Sequence, residues 1–116
     1  MAGLVKVAAG DLRHRVTLQS PTYTTDDSGA HVPTAWTNAA TVWAKVEPLS
    51  DSMRAQAAQA YGSMSHRVTI RHYSAIQSDW RVKYGNRYLY LVGPPRDVDE
   101  QGVYMELRCD EGEVIA

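Results

Sequence analysis

HRVTLQ at residues 14–19 and HRVTIR at residues 66–71 are nearly the same six residues, written twice in a chain of 116. Val16 and Leu18 alternate in the first copy, Val68 and Ile70 in the second. Arg15, Thr17 and Gln19 fill the other phase, as do Arg67, Thr69 and Arg71. Successive side chains on a strand point to opposite faces, so this period-2 pattern predicts two half-buried strands of one sheet.

Outward from these two strands, turn signals divide the chain. Strand one runs over about Leu12–Ser20 and is followed by TTDDSGAH, a polar turn with Ser28-Gly29 at its centre. A second extended region spans Val32–Leu49, where Val42, Ala44 and Val46 alternate with Trp43, Lys45 and Glu47 until Pro48 ends it. The composition then changes: SDSMRAQAAQAYG has Ser50 or Asp51 as N-cap and Gly62 as stop, the signals of a helix of about ten residues. Its apolar stripe, Met53 and Ala57 with Ala60 and Tyr61, is thin. The helix therefore either belongs to a loop that docks lightly or becomes ordered on assembly, or plugs one end of the barrel.

Strand three covers Met64–Tyr73, and SAIQSD leads into the hairpin DWRVKY-GN-RYLYLV. Gly85-Asn86 suits a two-residue turn with glycine first, which pairs Tyr84 with Arg87, Lys83 with Tyr88, Val82 with Leu89 and Arg81 with Tyr90. Trp80, Val82, Leu89 and Leu91 then form a core face. PPRD ends this ladder, because proline has no N–H to give it. A last strand, Val103–Asp110, turns Val103, Met105, Leu107 and Cys109 inward. The expected fold is mainly β: a small barrel of five to six antiparallel strands with one short helix in a long loop at about 49–64. Residues 1–11 read as a flexible N-terminal arm and 12–116 as a single domain.

Net charge is −1, unlike a protein that coats nucleic acid non-specifically. The distribution is uneven: residues 54–96 carry seven bases and one acid, and residues 97–116 carry seven acids and one base. Basic and acidic surfaces either join copies head to tail or neutralise each other within one barrel. No apolar stretch approaches the ~20 residues of a membrane helix. The lone Cys109 fits a reducing compartment and a buried structural thiol.

No phosphate loop, nucleophile elbow or metalloprotease motif is present, so no catalytic site and no cofactor are expected. His14, His66, His72 and Cys109 share the inward phase of their strands. His66 and His72 lie ~20 Å apart along one strand, too far to share a zinc ion, and no metal site is expected. Asp26-Asp27 lacks the ligand ladder of a calcium loop. The richer pattern is basic and aromatic: Arg67, Arg71, Arg81, Lys83, Tyr88 and Tyr90 on one outward face would suit a single-strand nucleic-acid platform or a protein interface.

Taken in order, LRHRVTLQ, DDSGA, AWTNAATVWAKVEPLS, the Ala/Gln helix, SHRVTIRHY, WRVKYGNRYLYLVGPPRDVDE and MELRCDE span residues 12–111. This succession resembles the head–tail joining proteins of tailed bacteriophages, also called head-closure, stopper or head–tail connector proteins. VWAKVEPLS, and HRVTIR followed by YGNRYLYLV, are its most specific pieces. The resemblance implies a small β-barrel with a helix-bearing loop, copies of which form a ring in the virion neck after assembly in the host cytoplasm. It implies a portal or adaptor protein on the head side, a tail-terminator or tail-tube protein on the tail side, and packaged double-stranded DNA in the channel.

The resemblance also implies that the loop between the second and third main strands projects into the channel and helps retain DNA. Here that loop holds Leu49, Ser50, Asp51, Ser52, Met53, Arg54, Ala55, Gln56, Tyr61 and Gly62. With one base and one acid it would let DNA slide, where a dense basic ring would grip phosphates. Arg15, Arg67, Arg71, Arg81, Lys83, Tyr88 and Tyr90 are the candidate ring or partner interface. Two alternatives stay open: a tail-completion or terminator-side ring, or its gene-transfer-particle equivalent, and, from another class, a free oligonucleotide-binding barrel.

Overall fold

A computed structural model of the chain describes residues 9–25, 29, 31–98 and 102–113. The expected arm, apart from a short 3-10 turn at Ala9–Asp11, and most of the DDSGA turn lie outside the described residues. In chain order the elements are β1 (His14–Thr25), β2 (His31–Pro48), α1 (Asp51–Tyr61), β3 (His66–Arg71), β4 (Arg81–Tyr84), β5 (Arg87–Leu91), β6 (Arg96–Asp97) and β7 (Tyr104–Gly112).

All seven strands belong to one antiparallel sheet, ordered β3-β2-β1-β4-β5-β7-β6. An additional β3–β7 pairing, from His66 opposite Cys109 to Arg71 opposite Tyr104, closes six of them into a ring. The result is a small barrel, and closure leaves those strands no open edges where their neighbours run alongside. The seventh strand, β6, is two residues long and continues β7's edge past the end of β5. It follows directly on the prolines that end β5, which is why the sequence shows no separate signal for it.

Both HRVT copies line the core. Val16, Leu18, Val68 and Ile70 are at most 1% exposed, and they meet Val82, Leu89, Leu107 and Cys109 across the barrel. The β4–β5 hairpin has the expected register at all four pairs, and Gly85 has φ +61°, the positive value its turn position requires. Ile76, in the SAIQSD segment that leads into the hairpin, is 5% exposed and joins the core with Tyr73 and Trp80 against it. Val103 departs from expectation. It precedes β7 and is 46% exposed, although its carbonyl still accepts from the His72 N–H (2.9 Å).

β1 is longer than the alternation predicts. It continues to Thr25, and with β2 it forms a ribbon that outruns the barrel. β4 pairs with β1 only over Thr17–Gln19, and β3 pairs with β2 only over Ala44–Pro48. Register shifts at Leu18/Gln19 and Thr22/Tyr23 add local twist and bend this ribbon.

α1 does not plug the barrel. Its described side chains are exposed apart from a half-buried Ala57, and Met53 is 40% exposed. Local chemistry forms it instead. Ser50 Oγ accepts from the Met53 N–H, and the Gly62 N–H donates to the Ala58 carbonyl with φ +80°, a conformation that suits glycine.

Candidate functional site

Three features stand out from the barrel: the α1 loop, a polar cluster at its foot, and the charged and aromatic wall.

The loop leaves β2 after Pro48 and returns at Met64 and Ser65, both buried. The Leu49 N–H donates to the Ser65 carbonyl (2.9 Å) and the Ser65 N–H to the Cys109 carbonyl (2.9 Å), so its two ends are pinned together on the barrel rim. Between these pins Ser50, Asp51, Ser52, Met53, Arg54, Ala55, Gln56 and Gly62 are exposed and Leu49 is half-buried. The side chain of Tyr61 lies outside the described residues.

His66, 6% exposed, sits at the foot of the loop. Arg87 places a guanidinium nitrogen 3.1 Å from its Nε2. A guanidinium can only donate, so Nε2 is the accepting nitrogen and the ring proton resides on Nδ1. Nδ1 then donates to Ser65 Oγ (2.7 Å), which also accepts from the Glu111 N–H (2.7 Å). Arg87 in turn holds the Glu111 carboxylate with two hydrogen bonds of 2.9 and 2.8 Å. Burial, and then the Arg87 charge, hold His66 below its ordinary value and keep the ring neutral. The hydrogen bonds from Arg87 hold Glu111 below the usual carboxylate range. The cluster is a structural clasp that ties the foot of the loop to β5 and β7.

The four zinc candidates do not come together. His14 is exposed and accepts or donates at Tyr84 Oη (2.9 Å), His72 is exposed, and only His66 and Cys109 face inward. The inward phase at a strand end faces the barrel rim, where water reaches it. Among the described residues no three metal-ligating side chains cluster. Cys109 is buried, which pushes its thiol far above the usual range.

The expected basic-aromatic face is divided. β3 and β4 are three strands apart either way around the six-strand ring, so Arg67 and Arg71 lie across the barrel from Arg81 and Lys83. Arg81 is not a surface residue. It is 4% exposed, and its guanidinium lies 4.1 Å from the Trp36 ring centroid and 4.2 Å from that of Tyr88. It donates to Gln19 Oε1 (2.6 Å) and Tyr90 Oη (3.1 Å). The bent ribbon brings Trp36 over this patch, edge-on to Tyr90, and covers the aromatic faces that bases would need. Lys83, Tyr88 and Tyr90 are half-buried.

On the far side, Arg67 faces Arg108 across β3–β7 and lies 4.0 Å from Glu47, too long for a hydrogen bond. Arg71 is exposed and stacks on Tyr104. Arg15 is exposed, with its guanidinium 5.0 Å from the ring of Trp43, itself 53% exposed. In the sequence alternation Trp43 reads as one outward residue among several, and nothing there marks its open surroundings. Part of the charge asymmetry is resolved locally, through the Arg87–Glu111 ion pair.

A family profile described as phage head completion protein matches residues 7–112. A Shigella flexneri 2a protein known from its solution structure is 27% identical, with a TM-score of 0.70, over 91% of this chain and 97% of that one. A chain in the virion of a native gene transfer agent particle shares the fold at 17% identity and a TM-score of 0.61, over 90% and 97%. No curated protein matches.

Proposed function

Because the chain belongs to the phage head completion protein family, we propose that it forms a ring in the phage neck. This ring joins head to tail, closes the portal channel and helps retain packaged DNA. The observation that carries this reading is the α1 loop: a capped helix held at its foot, projecting from the barrel with its described side chains exposed apart from Ala57. A helix of this length is marginal unless something packs on it, so the exposed loop is suited to being covered on assembly. With only Asp51 and Arg54 charged, it would line a DNA channel without binding phosphates strongly. Arg15, Arg67 and Arg71 remain on the outer wall for neighbours or for the portal-side and tail-side partners.

Deletion of the gene from its phage, followed by electron microscopy of the lysate, tests the reading. Separate tails beside emptied heads are expected. Full heads with overlong or unfinished tails would move the protein to the tail side, and intact infectious particles would overturn the neck role.

A further inference from the structure

β2 outruns β3, and the edge it leaves open lacks the usual protection. Ahead of Ala44 no strand lies alongside its outer edge among the described residues. Backbone phase can be read from the rim: the Leu49 N–H donates to Ser65 on the β3 side. Backbone groups alternate along a strand. Glu47 and Lys45 therefore turn theirs toward β3, while Trp43 and Thr41 turn theirs to the open edge, since no register shift falls between Thr41 and Pro48.

Solvent-facing edges are normally blunted by charges. From Pro33 to Ala44 there is none, and Thr37, Asn38, Ala39 and Thr41 are small and exposed. Trp43 stands exposed beside them, the residue type that most often anchors an interface.

The same ribbon carries a second such edge on its opposite side. β1 has β4 beside it only as far as Gln19 among the described residues, and SPTYTT at 20–25 carries no charge of its own, with the Tyr23 hydroxyl donating to Asp79 Oδ2 (3.0 Å). Placing β2 of one copy beside β1 of the next continues the up-down order of the ribbon. One surface then meets a different one on each neighbour, the head-to-tail kind of contact that builds a ring when its rotation closes.

We propose that the Thr37–Trp43 edge of β2 pairs antiparallel with the Ser20–Thr25 edge of β1 in the next copy. The occupant is a second copy because each copy brings both strand edges, neither with a charged residue of its own, oriented to match. The inference rests on the ring reading above and names the contact that would build it.

The test uses particles assembled with a Thr24→Cys/Thr41→Cys chain, treated with a short bis-maleimide. Within one copy these positions are separated by seven residues of strand, ~23 Å, beyond such a reagent. The native Cys109 is buried and will not compete. A ladder of covalent oligomers above the dimer is expected from the double variant and from neither single variant. Dimers from Thr41→Cys alone would mean β2 meets β2 and would overturn the pairing. Particles that carry the protein but yield no ladder would overturn this contact and leave the neck reading standing. Absence of the protein from purified wild-type particles would remove the neck reading, and this contact with it.

Thr41→Pro gives a second check. It deletes an N–H from the open edge, a place where proline is tolerated, and leaves the backbone bonds to β1 in place at the loss of one exposed hydroxyl contact with Thr17 (3.4 Å). The free protein should keep its unfolding midpoint while incorporation into particles is lost; normal incorporation would overturn the proposal.

Discussion

β3 and α1 are separated by four residues and are held by opposite means. β3 is paired along both edges, by β2 and by β7, and its inward side chains are closed off from water. α1 has a cap at each end, its own backbone hydrogen bonds, and little else. In the strand each residue is fixed by residues far away in sequence, so a single change is felt across the barrel. In the helix the determinants are local, so damage should stay local. The clasp of Ser65, His66, Arg87 and Glu111 is where the two regimes meet.

The largest expected effect lies in the barrel. Leu107, opposite Val68, is fully buried, and Leu107→Ala should cost about 2–5 kcal/mol of global stability. Urea unfolding measures it. A loss well under 1 kcal/mol would mean that the wall is loosely packed, and the contrast with α1 would fail.

An intermediate effect is expected at the clasp. His66 is held below its ordinary 6.5, so below that pH the unfolded chain binds a proton that the folded chain resists. This stability is fully present above 6.5 and is lost as pH falls from there toward the folded value. The urea midpoint should drop on acidification through this window, and His66→Gln should flatten the drop. A midpoint that rises with acid would show the ring charged in the fold, contrary to its contact with Arg87.

The smallest global effect is expected in α1. Ser50→Ala removes the N-cap and should cost the helix about 1 kcal/mol. Because little packs on α1, that loss should appear as faster amide exchange in Arg54–Ala58, with the unfolding midpoint nearly unchanged. A matching fall in the midpoint would reveal that α1 and the barrel unfold as one unit.

The fold was legible where local rules and global packing agree. The HRVT alternation, the Gly85-Asn86 turn and the Ser50 and Gly62 caps each specify their element through nearest neighbours in the chain. The candidate interface was less legible. Arg81 and Arg71 both read as outward cations, yet one is enclosed by Trp36, Tyr88 and Tyr90 and the other is open to solvent. Period 2 gives the face on which a residue stands and says nothing about what later folds over that face. His14 and His72 failed likewise, since the inward phase carries burial only where the barrel continues past the residue.

The sequence by itself determined every strand but the two-residue β6, the hairpin register, the single capped helix and the family, because alternation, turn chemistry and motif order are properties of short segments. Tertiary structure alone decided the closure of β3 on β7, the opposition of β3 and β4, the burial of Arg81 and the open edge of β2. Each of these depends on which strands become neighbours, and that is settled by a core drawn from residues dispersed along the whole chain.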